Sequence, residues 1–377
     1  MENVTFVQNL KIRAGYGATG NLPPYTMLYP TYSLLSAGSA YSWSSGAASP
    51  GVSPSSQIGN PNLRWESAKQ TNIGFDAGFL QSRITFSADY YYKKVDDMIF
   101  TQQLPLTTGG ATTAVNLPGH DINKGVELSA SAVIVDKKDW GWDLGANISF
   151  NNNKITGMDS TTSYQTGGVS VGGSKQPIYT GLIKNGYSLG TFWGYKALGV
   201  DPQTGNMVYS DNMMDLGNAL PKFTYGINSN FHYKNFSLDV LFDGVHGNKV
   251  YNETRMEIEN LTGYTNESAA VLRRWKQAGD VTDIPRAKDN GTTNATAAAL
   301  LQSQISSNYV ENGSFFRLRS ATLAYNVDAS LLKHIGIAGL RVYATAQNLF
   351  TITKYKGYYP EINGFGTGTN NQVPARV

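Results

Sequence analysis

Residues 83–100 read RITFSADYYYKKVDDMIF. Ile84, Phe86, Ala88, Tyr90 and Tyr92 alternate with Thr85, Ser87, the amphipathic Tyr91, Asp89 and Lys93. A period of two dictates a β-strand with two unlike faces. The alternation lasts about ten residues, whereas a strand of a soluble domain usually has about 5–6. The question set by this stretch is whether its apolar face meets a protein core or lipid.

The same pattern recurs along the chain. Leu10, Ile12, Ala14 and Tyr16 form one apolar face, and Ile73, Phe75, Ala77 and Phe79 another. Val126, Leu128, Ala130 and Ala132 follow, then Trp140, Trp142, Leu144, Ala146, Ile148 and Phe150. Phe223, Tyr225, Ile227, Phe231 and Tyr233 precede Phe236, Leu238, Val240 and Phe242. Leu323, Tyr325 and Val327 continue a strand begun at Phe316, and Leu340, Val342, Ala344 and Ala346 end the series. That makes nine strands, with the start of a tenth read at ARV, 375–377. The phase shifts near Ser320, which predicts a bulge.

The connections alternate in length. Short ones are 80–83, 136–139, 234–235 and 328–339; long ones are 19–64, 101–121, 156–220, 250–313 and 355–375. In an up-and-down sheet every tight turn then lies at one rim and every long loop at the other. Transmembrane β-barrels have this layout. A soluble β-sandwich also alternates on its inner faces, but strand length and loop asymmetry weigh against it. The fold expected is all-β, an antiparallel up-and-down transmembrane β-barrel, and a partial one. Polar positions Arg13, Asp76, Asp89, Glu127 and Asn147 would face a wet lumen. Tyr90, Tyr92, Trp140 and Trp142 sit near strand ends, where amphipathic rings favour the lipid–water boundary.

Charged residues make up 15% of the chain, against about 25% in soluble domains. The net charge of +3 is dispersed, with no basic stripe to suggest nucleic acid. No cysteine is present, which excludes disulfides and thiolate chemistry. No apolar run approaches the ~20 residues of a membrane helix.

Motifs for catalysis or cofactors are weak. Gly15, Gly17 and Gly20 match a dinucleotide pattern, but Asn21, Leu22, Pro23 and Pro24 stop the helix it needs. His120, His232, His246 and His334 are scattered, so no metal or other cofactor is expected. Asp96 with Asp97, or Glu253, Glu257 and Glu259, would suit a glycosidase only if two carboxylates faced each other across a sugar; solvated charge is the simpler reading, and no catalytic residue is assigned. The long loops carry Tyr41, Trp43, Tyr164 and Trp193, rings able to stack on sugars or pack on a partner or on each other. Within 156–220 a hairpin is expected to turn at Pro202 to Asn206. Within 250–313 a short helix is expected, capped by Asn266 and stopped by Gly279.

The stretch GNPNLRWESAKQTNIGFDAGFLQSRITFSADYYYKKVDDMIF, 59–100, resembles the SusC/RagA family of TonB-linked outer-membrane transporters of Bacteroidota. LKIRAGYGATGN, NKGVELSASA, LGTFWGYKALGV, RRWKQAGDVTDIPRA, ENGSFFRLRSATLAYNV and LRVYATAQNLFTITKYKGYYPEI match in the same order. The resemblance implies a barrel of about 22 strands around a plug. It places residues 1–377 in the C-terminal part of that barrel, about 9–10 strands, with the plug domain and TonB box upstream and the last strand missing. It also implies import of oligosaccharide or peptide across the outer membrane. The implied partners are a SusD-like lipoprotein lid, outer-membrane lipid and, through the N-terminal part, TonB–ExbB–ExbD. The loop aromatics would then face lid or substrate. A passive porin or adhesin barrel, and a secreted β-rich glycan-processing enzyme, are the competing readings.

Overall fold

The computed structural model describes residues 7–22, 29–43, 47–54, 57–105, 107, 112–169, 178–259, 261, 266–287, 305–333, 336–361 and 372–373. Nine long strands form one antiparallel sheet in chain order. They are β1 (Val7–Asn21), β2 (Glu66–Phe79), β3 (Ile84–Asp96), β4 (His120–Asp136) and β5 (Trp140–Thr156). Then come β6 (Phe223–Tyr233), β7 (Phe236–His246), β8 (Phe315–Asn326) and β9 (Arg341–Thr353). Each strand pairs with the one before it in sequence, the simple up-and-down order. At 11 to 17 residues they meet or exceed the 9–11 or so that a tilted strand needs to cross a bilayer. Among the described residues the sheet stays open, because β1 and β9 each have one neighbour. The ARV segment at 375–377 lies outside the described residues.

Register turns the alternation of single strands into rows that cross the whole sheet. Lys11, Asp76, Ser87, Ser129, Asn147, Gly226, Asp243, Arg317 and Thr351 stand side by side on one face. One step along, Leu10, Ala77, Phe86, Ala130, Ala146, Ile227, Phe242, Leu318 and Phe350 stand side by side on the other. A slip of one residue at any pair would mix the two faces.

A sandwich would cover the apolar face with a second sheet. Here it is bare, even on strands flanked on both sides: Ile73 is 55% and Leu323 52% exposed. Most of the buried apolar residues cluster at the long-loop rim instead. Met98, Leu117, Ile155, Met158 and Ile183 form one core, and Phe192, Tyr251, Met256, Ile305 and Tyr309 another. The sheet therefore has a polar side, an apolar side with no second sheet against it among the described residues, and a packed loop layer at one rim.

The hairpin within the third long loop matches its reading, with strands Thr191–Val200 and Met207–Asn218 joined at 201–206. The helix in the fourth loop does not. It is a five-residue 3-10 turn, Ala269–Arg273, and its cap is Ser268, whose hydroxyl accepts from the Ala270 amide. The Trp275 indole donates to the Pro202 carbonyl at 2.8 Å, and this docking onto the hairpin tip holds the following residues out of a helix. The loops also contain short strand pairs that alternation did not mark, such as Leu35–Trp43 with Ala47–Pro54.

Arginine in place of Phe86 or Leu144, in the middle of the bare apolar face, should cost roughly 2–4 kcal/mol in a bilayer. Reversible unfolding of the complete protein in lipid vesicles measures this, and equal stability of wild type and variant would contradict lipid contact there.

Candidate functional site

The polar face is built from short side chains between isolated charges. Arg13 on β1 sits directly across from Gly74, which faces Asp89, which faces Glu127. The absence of a side chain at Gly74 matters: a Cβ there would lie 2.0 Å from Asp89 Oδ1. Arg13 reaches through this gap and donates to Asp76 at 2.9 Å, Asp89 at 2.8 Å and Ser87 at 3.0 Å. Three strands are thereby tied by one guanidinium. Glu127 accepts from the Ser149 hydroxyl at 3.4 Å. Asn147 stands on the same face, where a trough of about 390 Å³ also touches Asp76, Ser87 and Ser129. All five polar positions singled out in the sequence thus share one face, and three of them meet in one cluster.

Two further polar clusters escaped the sequence reading. Toward the loop rim, Asp121 accepts from Asn123 at 2.7 Å and from Asn153 at 2.5 Å. Asn153 in turn accepts from the Ser188 hydroxyl and the Leu189 amide, both at 2.8 Å. This chain of amides pins the third long loop to the wall. On β8, Arg317 is nearly buried, with 3% of its side chain exposed. It forms a two-pronged pair with Asp243 on β7, donates to Glu361 at 2.7 Å, and lies over the Phe315 and Tyr359 rings. The signal that could have found it is the opposite charge at matching polar phases of adjacent strands, in LFDGV and FFRLR.

The aromatic positions divide between wall and loops. Tyr90 and Tyr92 lie toward the long-loop end of the apolar face. Trp140 and Trp142 lie toward its short-turn end, where Lys137 covers the Trp140 ring and the Trp142 indole donates to Ser229 at 2.9 Å. Tyr164 packs edge-on against Phe100 inside the loop layer. Trp193 packs edge-on against Tyr187, with the Lys184 ammonium 5.4 Å above its ring. Tyr41 and Trp43 lie on the hairpin strand Leu35–Trp43, opposite Ser49 and Ala47.

The acid pairs are engaged. Asp97 pairs with Arg64, and Asp96 with Lys94 and His120. Glu259 and Glu311 share Arg255. Glu253, at the start of helix α1 (Glu253–Ile258), is 3% exposed in the loop core. Burial, helped by nearby Glu257, pushes its carboxyl up to about 7. No group of three or more His, Cys, Asp or Glu suited to a metal occurs among the described residues.

A long-stranded sheet with one bare apolar face, one charged and amide-lined face, and folded loops at a single rim is part of a transmembrane β-barrel of the outer-membrane kind. Residues 3–349 match the model of the family described as TonB dependent receptor-like, beta-barrel, and the chain belongs to that family. It is 30% identical to TonB-dependent receptor P3 of Formosa agariphila, over 94% of this chain and 36% of that protein. It is 29% identical to TonB-dependent receptor SusC of Bacteroides thetaiotaomicron, over 96% of this chain and 36% of that one. The solved structure of the RagAB peptide transporter superposes with a TM-score of 0.77 at 27% identity, over 95% of this chain and 39% of its own. The chain thus spans little more than a third of the relatives it matches, which are receptors and transporters rather than enzymes. It is an outer-membrane protein.

Replacing Arg13 with Gln should lower stability by about 1 kcal/mol, a modest loss because the ion pairs are part-exposed and screened. Urea titration of the complete protein in detergent reads the change, and a further Asp89→Asn should recover part of it. The loop core should also respond to pH. Folding raises the Glu253 carboxyl above its unfolded value, so the folded state holds an extra proton between about 4.5 and about 7. Stability is full below that window and falls as pH rises through it, by at most about 3 kcal/mol. Amide exchange around Tyr251 and Met256 should be slower at pH 5 than at pH 8 beyond the intrinsic effect, and Glu253→Gln should remove the difference.

Proposed function

We propose that the complete protein is a SusC-like active importer and that this chain supplies nine strands of its wall. The observation that carries the reading is the unbroken polar row from Lys11 to Thr351, backed by the apolar row from Leu10 to Phe350. A wall of that kind separates lipid from a wet passage. Arg13, Asp76, Asp89, Glu127 and Asn147 line the passage, and Tyr90, Tyr92, Trp140 and Trp142 sit at the two lipid boundaries. The packed loop layer forms the extracellular rim, where transmembrane barrels carry their long loops. Its aromatics Tyr41, Trp43, Tyr164 and Trp193 are the candidates for contact with a SusD-like lid or with substrate. Oligosaccharide or peptide is the cargo, as the kinship with SusC and the RagAB peptide transporter suggests. TonB–ExbB–ExbD supplies the energy through the rest of the protein.

Deleting the gene in its host should abolish growth on at least one oligosaccharide or peptide mixture as sole carbon source, and loss of TonB should abolish the same growth. Undiminished uptake without TonB, together with a steady conductance through the purified protein in planar bilayers, would instead make it a passive pore.

A further inference from the structure

The phase shift near Ser320 is a bulge that continues across two strands. Leu241 faces Ser320 while its neighbour Phe242 faces Leu318, so Arg319 is surplus on β8. Toward β9 the mismatch reverses: Leu318 faces Phe350 and Ser320 faces Gln347, leaving Asn348 and Leu349 opposite Arg319. Asn348 adopts φ 50°, a left-handed conformation that asparagine takes more readily than most residues other than glycine. Bulges re-aim side chains and concentrate beside functional sites, and backbone held in such a region is retained where the surroundings require it. In a regular strand Arg319 and Ser320 would point to opposite faces. Here Ser320 joins the polar face with Arg317, and Arg319 reaches Asp243 on that same face.

A cavity of about 340 Å³ opens at this place. Both of its acids are bonded to Arg317. Asp243 is held by both prongs of Arg317, and Glu361 accepts from Arg317 and from the Tyr359 hydroxyl at 3.0 Å. Its donors are less engaged. Arg319 makes one contact, to Asp243 at 3.2 Å, and 54% of its side chain is exposed. The Ser320 hydroxyl and the Gln347 and Asn348 amides line the same cavity, with no partner among the described residues. A guanidinium fork beside a hydroxyl and two amides, with Asp243 and Glu361 both bonded to Arg317 and the two arginines balancing the two acids, fits a group that accepts at every atom.

We propose that this cavity binds a carboxylate of the imported molecule, either the C-terminal carboxylate of a peptide or the carboxylate of a uronic acid sugar; the proposal rests on the importer reading. Arg319 makes the two-pronged contact, Gln347 and Ser320 donate beside it, and Arg317 acts only as the buried strut that occupies the acids.

The test is calorimetry on the complete receptor in detergent with two matched pairs of probes. One pair is an alanine-rich pentapeptide with a free or an amidated C-terminus. The other is trigalacturonate or its methyl ester. At least one acid should bind roughly tenfold to a hundredfold more tightly than its neutral twin, as charge-assisted hydrogen bonds require. Arg319→Gln should erase the preference, and Arg319→Lys should retain part of it. Which acid binds identifies the source of the carboxylate. Acids that bind no better than their twins, no binding of either acid at millimolar concentration, or a preference that survives Arg319→Gln would each overturn the proposal. Should Arg319→Gln fail to fold, as judged by heat-modifiable gel mobility, Gln347→Ala and Ser320→Ala replace it, and unchanged acid binding in both overturns the proposal. Growth of the host on the imported mixture is scored in parallel. Intact TonB-dependent uptake without carboxylate preference would sink the cavity reading and leave the importer reading standing.

Discussion

A backbone amide without a partner in hydrocarbon costs several kcal/mol, so a strand that crosses lipid must be paired along both sides. The antiparallel ladder from β1 to β9 meets this demand for the seven strands between them, which have a neighbour on each side. Everything else follows from its register. The ladder decides which residues stand in a row, and the rows decide which face lipid can touch. Side-chain ties such as Arg13 with Asp76 and Asp89 then lock the register locally, at low energetic weight because water still reaches them.

The same constraint explains where the apolar residues are packed. On the wall they stand in rows with no second sheet over them, because lipid rather than protein is their solvent. In the loops they must find each other. Residues from separate loops do so in two clusters, and the third long loop takes part in both, through Met158 and Ile183 in one and Phe192 in the other. Charges buried in that layer are paired or neutralised: Arg255 sits between Glu259 and Glu311, and Glu253 keeps its proton up to about 7.

Most of the wall was legible in the sequence because period-two alternation is a local signal. Phe86 and Leu144 could be assigned to one face without knowing their neighbours, and even the bulge at Arg319 showed as a change of phase. Partnership was not legible in the same way. Asp243 and Arg317 lie 74 positions apart, and only the register brings them together. The loop core was least visible, since Met98, Leu117, Ile155 and Ile183 come from distant stretches with no shared period. Ser268 rather than Asn266 caps the 3-10 turn, and beyond Arg273 the chain at Trp275 is held by the hairpin tip at Pro202, a tertiary contact that local preference does not show.

The loop layer's own apolar cores have a consequence for how the molecule comes apart. A rim of loose loops would exchange its amides residue by residue. Loops knitted through two shared cores open together instead, as one cooperative unit with a free energy distinct from that of the wall. Heating should therefore loosen the rim as a block while the strands beneath remain paired, leaving a state with an intact wall and a melted mouth.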